Sequence, residues 1–146
     1  SILTAVLLLM AVGTASAHAA GYWTCKAGHW AAVQNPTHAK PTKPCEPNFQ
    51  RPGDQATCVK VGGQWGPRGL LRRPICTTPT RDGGRVCADN GECDGSCISK
   101  LTPKKRESLK ARPKVRALGQ CTGTTPVFGC LAFVERGFVN GILCRD

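Results

Sequence analysis

Ten cysteines carry the reactive chemistry of this 146-residue chain. Three stand close together in "CADNGECDGSC", spaced Cys87-x5-Cys93-x3-Cys97; the others are Cys25, Cys45, Cys58, Cys76, Cys121, Cys130 and Cys144. Clustered thiols hold a metal, cycle electrons or staple a fold. Zinc sites set ligands in pairs two to four residues apart. Here C-x-x-C is absent, and His18, His29 and His38 all lie far N-terminal of the cluster. Thioredoxin-like chemistry needs the same missing motif. The preferred reading is therefore five disulfides, with no metal and no other cofactor expected.

That reading needs an oxidising compartment, and the N-terminus supplies one. "SILTAVLLLMAVGTASA" is uncharged, apolar or small, and ends in Ala15-Ser16-Ala17. This is the pattern of a signal peptide over residues 1–17, with cleavage after Ala17, or else after Ala19. The initiator Met and a basic n-region do not precede it, which reads as a leader whose first residues are missing. The apolar run stops near Val12, short of the ~20 residues that cross a bilayer, so no transmembrane segment is expected in the mature chain. The expected location is periplasmic or secreted.

Composition supports stapling. The chain carries 20 Lys and Arg against 9 acids, a formal charge of +11, and is only 5% aromatic. So basic a chain with so few large apolar residues would stay disordered unless cross-linked. Native bridges in small secreted domains contribute about 2–5 kcal/mol each. The expected fold class is small, disulfide-rich and mainly β in short hairpins, with little helix outside the signal peptide.

The elements that must carry the cysteines fall into two modules, 18–77 and 78–146. The first is an internal repeat: "TCKAGHW…C" from Thr24 to Cys45 and "TCVKVGGQW…C" from Thr57 to Cys76. Each copy reads as a hairpin, "GYWTC" and "HWAAV" about Lys26-Ala27-Gly28, then "ATCVKV" returning through Gly62-Gly63. Closing each copy on itself pairs Cys25 with Cys45 and Cys58 with Cys76. Trp23, Trp30 and Trp65 form either a small core or an exposed patch. "CTTPTRDGG" around Pro79 reads as a linker. The second module ends in "GCLAFVERGFVNGILC", two apolar runs about a Glu135-Arg136-Gly137 turn, which locally pairs Cys130 with Cys144.

Between Cys97 and Cys121, residues 100–116 hold eight basic side chains and one acid, Glu107. Thr102-Pro103 suits the start of a short helix ending before Arg112-Pro113, but the apolar residues form no continuous stripe. The segment reads as an exposed, partly flexible basic loop. Lys104, Lys105, Arg106, Lys110, Arg112, Lys114 and Arg116 are the candidate contacts for an anionic partner. No aromatic residue interleaves them, as single-strand recognition would require, and the protein is exported. Physiological nucleic-acid binding is therefore not expected. Asp82, Asp89, Glu92 and Asp94 lack the alternate spacing of an EF-hand loop and read as an acidic face answering the basic loop. His29 lies four residues from Cys25, yet no nucleophile, base and orienting group assemble. No enzyme is expected.

Around "GRVCADNGECDGSC" the chain resembles the opening of knottin-like or colipase-like domains. A cystine knot would imply Cys87–Cys121, Cys93–Cys130 and Cys97–Cys144, which excludes the local Cys130–Cys144 bridge; both pairings stay open. The last ~70 residues, with Cys-x5-Cys-x3-Cys and "FGC…C-x-D", also resemble uncharacterised exported cysteine-rich proteins of Gram-negative bacteria, as spacing patterns of this kind do in secreted domains. The resemblance implies a periplasmic or secreted place and no particular activity. The expected function is a non-enzymatic binding or structural protein of the cell envelope, contacting anionic envelope polymers or an extracellular protein. The alternative is a secreted peptidase inhibitor offering loop 100–116 to a trypsin-like enzyme. Nothing in the sequence addresses the oligomeric state.

Overall fold

The structure, a computed structural model, describes residues 19–46 and 51–146. The signal peptide expected over 1–17 lies outside the described residues, as does His18. The described chain is mainly β, in short strands paired antiparallel within small sheets, and all ten cysteines are bridged.

The first hairpin pairs β1 (Tyr22–Lys26) with β2 (His29–Val33), Lys26 opposite His29. Ala27 (φ 48°) and Gly28 (φ 79°) make the turn, the two left-handed residues that a two-residue hairpin of right-handed twist demands. Trp23 and Trp30 share a face with Cys25, and Cys25 bonds Cys45 as expected.

The second copy of the repeat folds differently. "ATCVKV" is not a strand: Gln55–Lys60 is helix α1. Asp54 caps it, accepting from the Thr57 N–H at 2.9 Å and from the Thr57 hydroxyl at 2.8 Å, the bonding expected of an N-cap aspartate. These two bonds hold the Asp54 carboxyl below the ordinary aspartate range. The hairpin follows instead as β3 (Gln64–Arg68) and β4 (Arg73–Pro79). Cys58–Cys76, also expected, ties helix to hairpin. Gly63 lets them meet, since a Cβ there would lie 2.7 and 2.8 Å from the two sulfurs. Trp65 sits on β3, and none of the three tryptophans belongs to the main buried cluster.

The segment read as a linker is bonded into the fold. Thr78 and Pro79 of β4 pair with β9 (Thr124–Thr125), and the N–H groups of Thr80 and Gly84 donate to Gly123 and Cys121.

The main core is built on sulfur. A three-stranded sheet orders β5 (Val86–Cys87), β8 (Gly119–Cys121) and β6 (Cys97–Ile98). A 3₁₀ turn at Asn90–Glu92 leads into Cys93. The bridges are Cys87–Cys97 and Cys93–Cys121. Neither belongs to the knot, so Cys87–Cys121, Cys93–Cys130 and Cys97–Cys144 are overturned. The short β5–β8–β6 sheet places Cys87 and Cys97 on the strands either side of Gly119, within bonding reach of each other. These four cysteines, with Leu101, Ala117, Ala132, Val134 and Val139, form the buried cluster.

The C-terminal hairpin matches its expectation. β11 (Val134–Glu135) turns at Arg136 (φ 49°) and Gly137 (φ 82°) into β12 (Phe138–Val139), which also pairs with β7 (Val115–Arg116). Gly137 cannot carry a side chain, because Ala20 crosses directly over it. Below that turn, β10 (Gly129–Leu131) and β13 (Leu143–Arg145) bring Cys130 opposite Cys144, and they are bonded.

Candidate functional site

The residues singled out as anionic contacts are not a flexible loop. Pro103–Ala111 is helix α2, entered through a Thr102 cap whose Oγ1 accepts from the Lys105 N–H at 3.3 Å. Pro103 occupies the first turn, where a missing N–H costs nothing. Leu109 packs on the core and Lys105 and Ser108 are half-buried, which turns Lys104, Arg106 and Lys110 outward. Arg112 is the C-cap. Beyond it, Lys114 stands over the Phe138 ring at 4.4 Å, and Arg116 on β7 lies opposite Phe138. The structure thus splits the seven into a helical group and a β-edge group, joined by Arg112.

The charge on α2 is poorly balanced. Lys104, Lys105 and Arg106 occupy the first turn, which holds no acid. A helix N-terminus already carries about half a positive elementary charge, so cations there raise the local potential further. The single acid, Glu107, is bonded to Lys110 at 2.9 Å, an exposed pair.

Among the described residues no ion pair joins the acids expected to answer this charge to the basic segment. Each is occupied within the fold. Asp89 caps the 3₁₀ turn and accepts from the Arg136 N–H at 2.8 Å. Asp82 accepts from the Asp94 N–H at 2.8 Å. Asp94 takes the guanidinium of Arg81 at 3.0 and 3.3 Å. Glu92 is fully buried.

The Arg81 hydrogen bond is the chief reason the Asp94 carboxyl sits below the usual aspartate range, with the Arg81 N–H, its charge and Lys43 adding to it against partial burial. A carboxylate so lowered stabilises the fold above the ordinary aspartate value of 3.8 and loses that contribution as pH falls through its folded value. Asp94→Asn should therefore lower the urea midpoint near neutrality and flatten the acid limb of its curve against pH, so that variant and parent converge as pH falls. An unchanged acid limb would show that other carboxyls govern it.

Glu92 joins the two halves of the chain. Its Oε1 accepts from the Trp23 N–H at 2.8 Å, and its Oε2 meets His38 Nε2 at 2.6 Å. The His38 side chain is 4% exposed, and its Nδ1 has no partner. Nearby, Lys43 Nζ donates to the Cys93 carbonyl at 2.8 Å, and Arg85 donates to the Ala39 carbonyl. Burial pushes the Lys43 ammonium below the ordinary lysine range, against the pull of Asp94 and Asp82. Sequence reasoning missed this junction. Nothing local marks Glu92, among four acids, as the buried one, because its partner is 54 residues away.

The sulfurs of Cys87, Cys93 and Cys97 lie within 4.8 Å of one another. Bridged as they are, they offer no thiolate to a metal. His29 is exposed on β2. A cleft of about 1010 Å³ opens beside the first hairpin, lined by Tyr22, Lys26, Asp89, Lys114, Arg136 and Phe138 among others; its walls mix both signs of charge. Among the described residues no helix is long and apolar enough to cross a membrane, and five disulfides suit a non-cytoplasmic, oxidising compartment. The chain matches no protein-family model, no curated protein and no solved structure.

Proposed function

We propose that this chain is an exported, disulfide-stapled binding or structural protein of the cell envelope. It performs no catalysis and holds anionic surface polymers against α2. The periplasm of a Gram-negative bacterium, or the medium outside it, is its place, in keeping with its five disulfides and with a cysteine spacing that resembles that of exported proteins of that kind. The observation that carries the reading is the first turn of α2: three cations and no acid at the positive end of a helix. That arrangement costs stability in the free protein, and an anionic partner offsets it.

The winding of residues 103–111 weighs against the peptidase-inhibitor alternative, whose reactive segment must lie extended across a protease cleft.

Retention on immobilised lipopolysaccharide at low salt tests the reading. Each cation near an anionic surface contributes about 1 kcal/mol, so Lys104→Gln, Arg106→Gln and Lys110→Gln together should weaken retention by about 100-fold. The salt dependence should fall with them. Equal retention of the triple variant and the parent would overturn the proposal.

A further inference from the structure

The β3–β4 hairpin ends in the loop Gly69-Leu70-Leu71-Arg72. Leu70 is 90% and Leu71 67% exposed, more than any other large apolar side chain among the described residues. Two adjacent leucines in water are unusual in a chain with so few of them. Gly69 (φ 69°) and Arg72 (φ 48°) are both left-handed and set the leucines at the apex. The N–H of Leu70 donates to Asp146, which ties the tip down at its base.

Arginines surround the apex. Arg68 and Arg73 face each other across the last register pair, and Arg72 closes the loop. Arg68 is held along the hairpin by Thr77 and Gln64. Arg72 and Arg73 have no carboxylate partner among the described residues. Residues 55–81 contain no Asp or Glu. Cys58–Cys76 fixes the hairpin to α1, where Val59 and the C-cap Val61 are also exposed, so little order would be lost on docking.

The backbone excludes one class of partner. Pro67 and Pro74 stand opposite each other next to the tip. Neither has an N–H, so both edges of the hairpin are blunted against strand addition. What remains is a surface that is apolar within and anionic at its face. We infer that the β3–β4 tip is a membrane-contact point: Leu70 and Leu71 enter the interface of an anionic lipid bilayer while Arg72 and Arg73 engage its phosphates. The chemistry is that of interfacial anchoring, in which apolar burial and headgroup attraction act together. This inference does not rest on α2.

Co-sedimentation with two kinds of vesicle tests it: phosphatidylcholine alone, and phosphatidylcholine containing phosphatidylglycerol. The parent protein should bind the anionic vesicles and leave the neutral ones. Leu70→Ser with Leu71→Ser should cut partitioning about 30-fold or more, from the loss of two apolar side chains. Arg72→Gln with Arg73→Gln should cut it about 30-fold, on anionic vesicles only. The triple α2 variant should keep its leucine dependence, which separates failure here from failure of the polymer reading. In a Leu70→Trp variant, the added indole should shift to the blue on anionic vesicles and be quenched by lipids brominated in their acyl chains. Equal partitioning of the serine variant and the parent, or no added quenching from the new indole, would overturn the inference. A dimer dispersed by the serine substitutions would also overturn it, by assigning the tip to a second copy of the chain.

Discussion

Serine at both Cys93 and Cys121 is expected to cost about 5 kcal/mol of folding free energy, against about 2–3 kcal/mol for serine at both Cys130 and Cys144. The difference does not come chiefly from loop length. The sequence separations are 28 and 14, and doubling a loop adds only about 0.6 kcal/mol. It comes from place. Cys93 and Cys121 are 4% and 3% exposed and pack in the main core, whereas Cys130 and Cys144 lie exposed on a two-stranded edge. Serines in the core bring hydroxyls into a site lined by sulfur and aliphatic groups, and an unpaired buried hydroxyl costs about 1–3 kcal/mol more. Since small domains are stable by only about 5–15 kcal/mol, the first variant should be largely unfolded at 37 °C and the second folded. Urea unfolding followed by near-ultraviolet circular dichroism measures both. Equal midpoints for the two variants would mean that the sulfur cluster is not the core of this protein.

Glu92→Ala should be almost as damaging, with a loss of about 3–5 kcal/mol. The substitution leaves the Trp23 N–H without its acceptor and the buried His38 ring without its one hydrogen bond, since Nδ1 already has none. It also empties the volume of the largest fully buried side chain among the described residues. The first consequence should be local. The β1–β2 hairpin reaches the rest of the chain through Glu92, with Lys43 and Arg85 spanning the same junction and Ala20 crossing Gly137. Amide exchange in residues 22–33 should therefore speed up before that of the β5–β8–β6 sheet. His38→Leu with Glu92→Leu, which removes both polar groups together, should recover much of the loss, as apolar replacements of buried polar pairs do. A double-mutant cycle with coupling below about 0.5 kcal/mol would reduce the pair to a bystander.

These two predictions depend on very different distances along the chain, and that difference explains what could be read in advance. Cys25–Cys45 and Cys58–Cys76 close single copies of the repeat, so counting along the sequence pointed to them, whereas Cys130–Cys144 was one of two pairings that the sequence left open. The turns at Ala27-Gly28 and Arg136-Gly137 were legible because two-residue hairpins demand backbone that few residues adopt. Thr102-Pro103 offered a helix start for the same kind of local reason, but without a continuous apolar stripe the segment read as a loop, and only packing of Leu109 on the core shows it to be α2.

Where the choice depended on neighbours distant in sequence, local pattern misled. "ATCVKV" alternates as a strand does, but Asp54 caps it and Cys58 must meet Cys76 beneath Gly63, so it winds into α1. The six C-terminal cysteines were equally compatible with a knot. Cys87 and Cys97 became partners only when β8 placed Gly119 between their strands and let the sulfurs touch. Glu92 looked like one exposed acid of four until His38 and Trp23 arrived from the first hairpin. Composition and local turn chemistry suffice to make the fold stapled, basic, short of apolar residues and built of hairpins. Tertiary structure alone decided which sulfurs meet, which acid is buried and which leucines stay in water, because each depends on contacts between segments that the chain brings together only by folding.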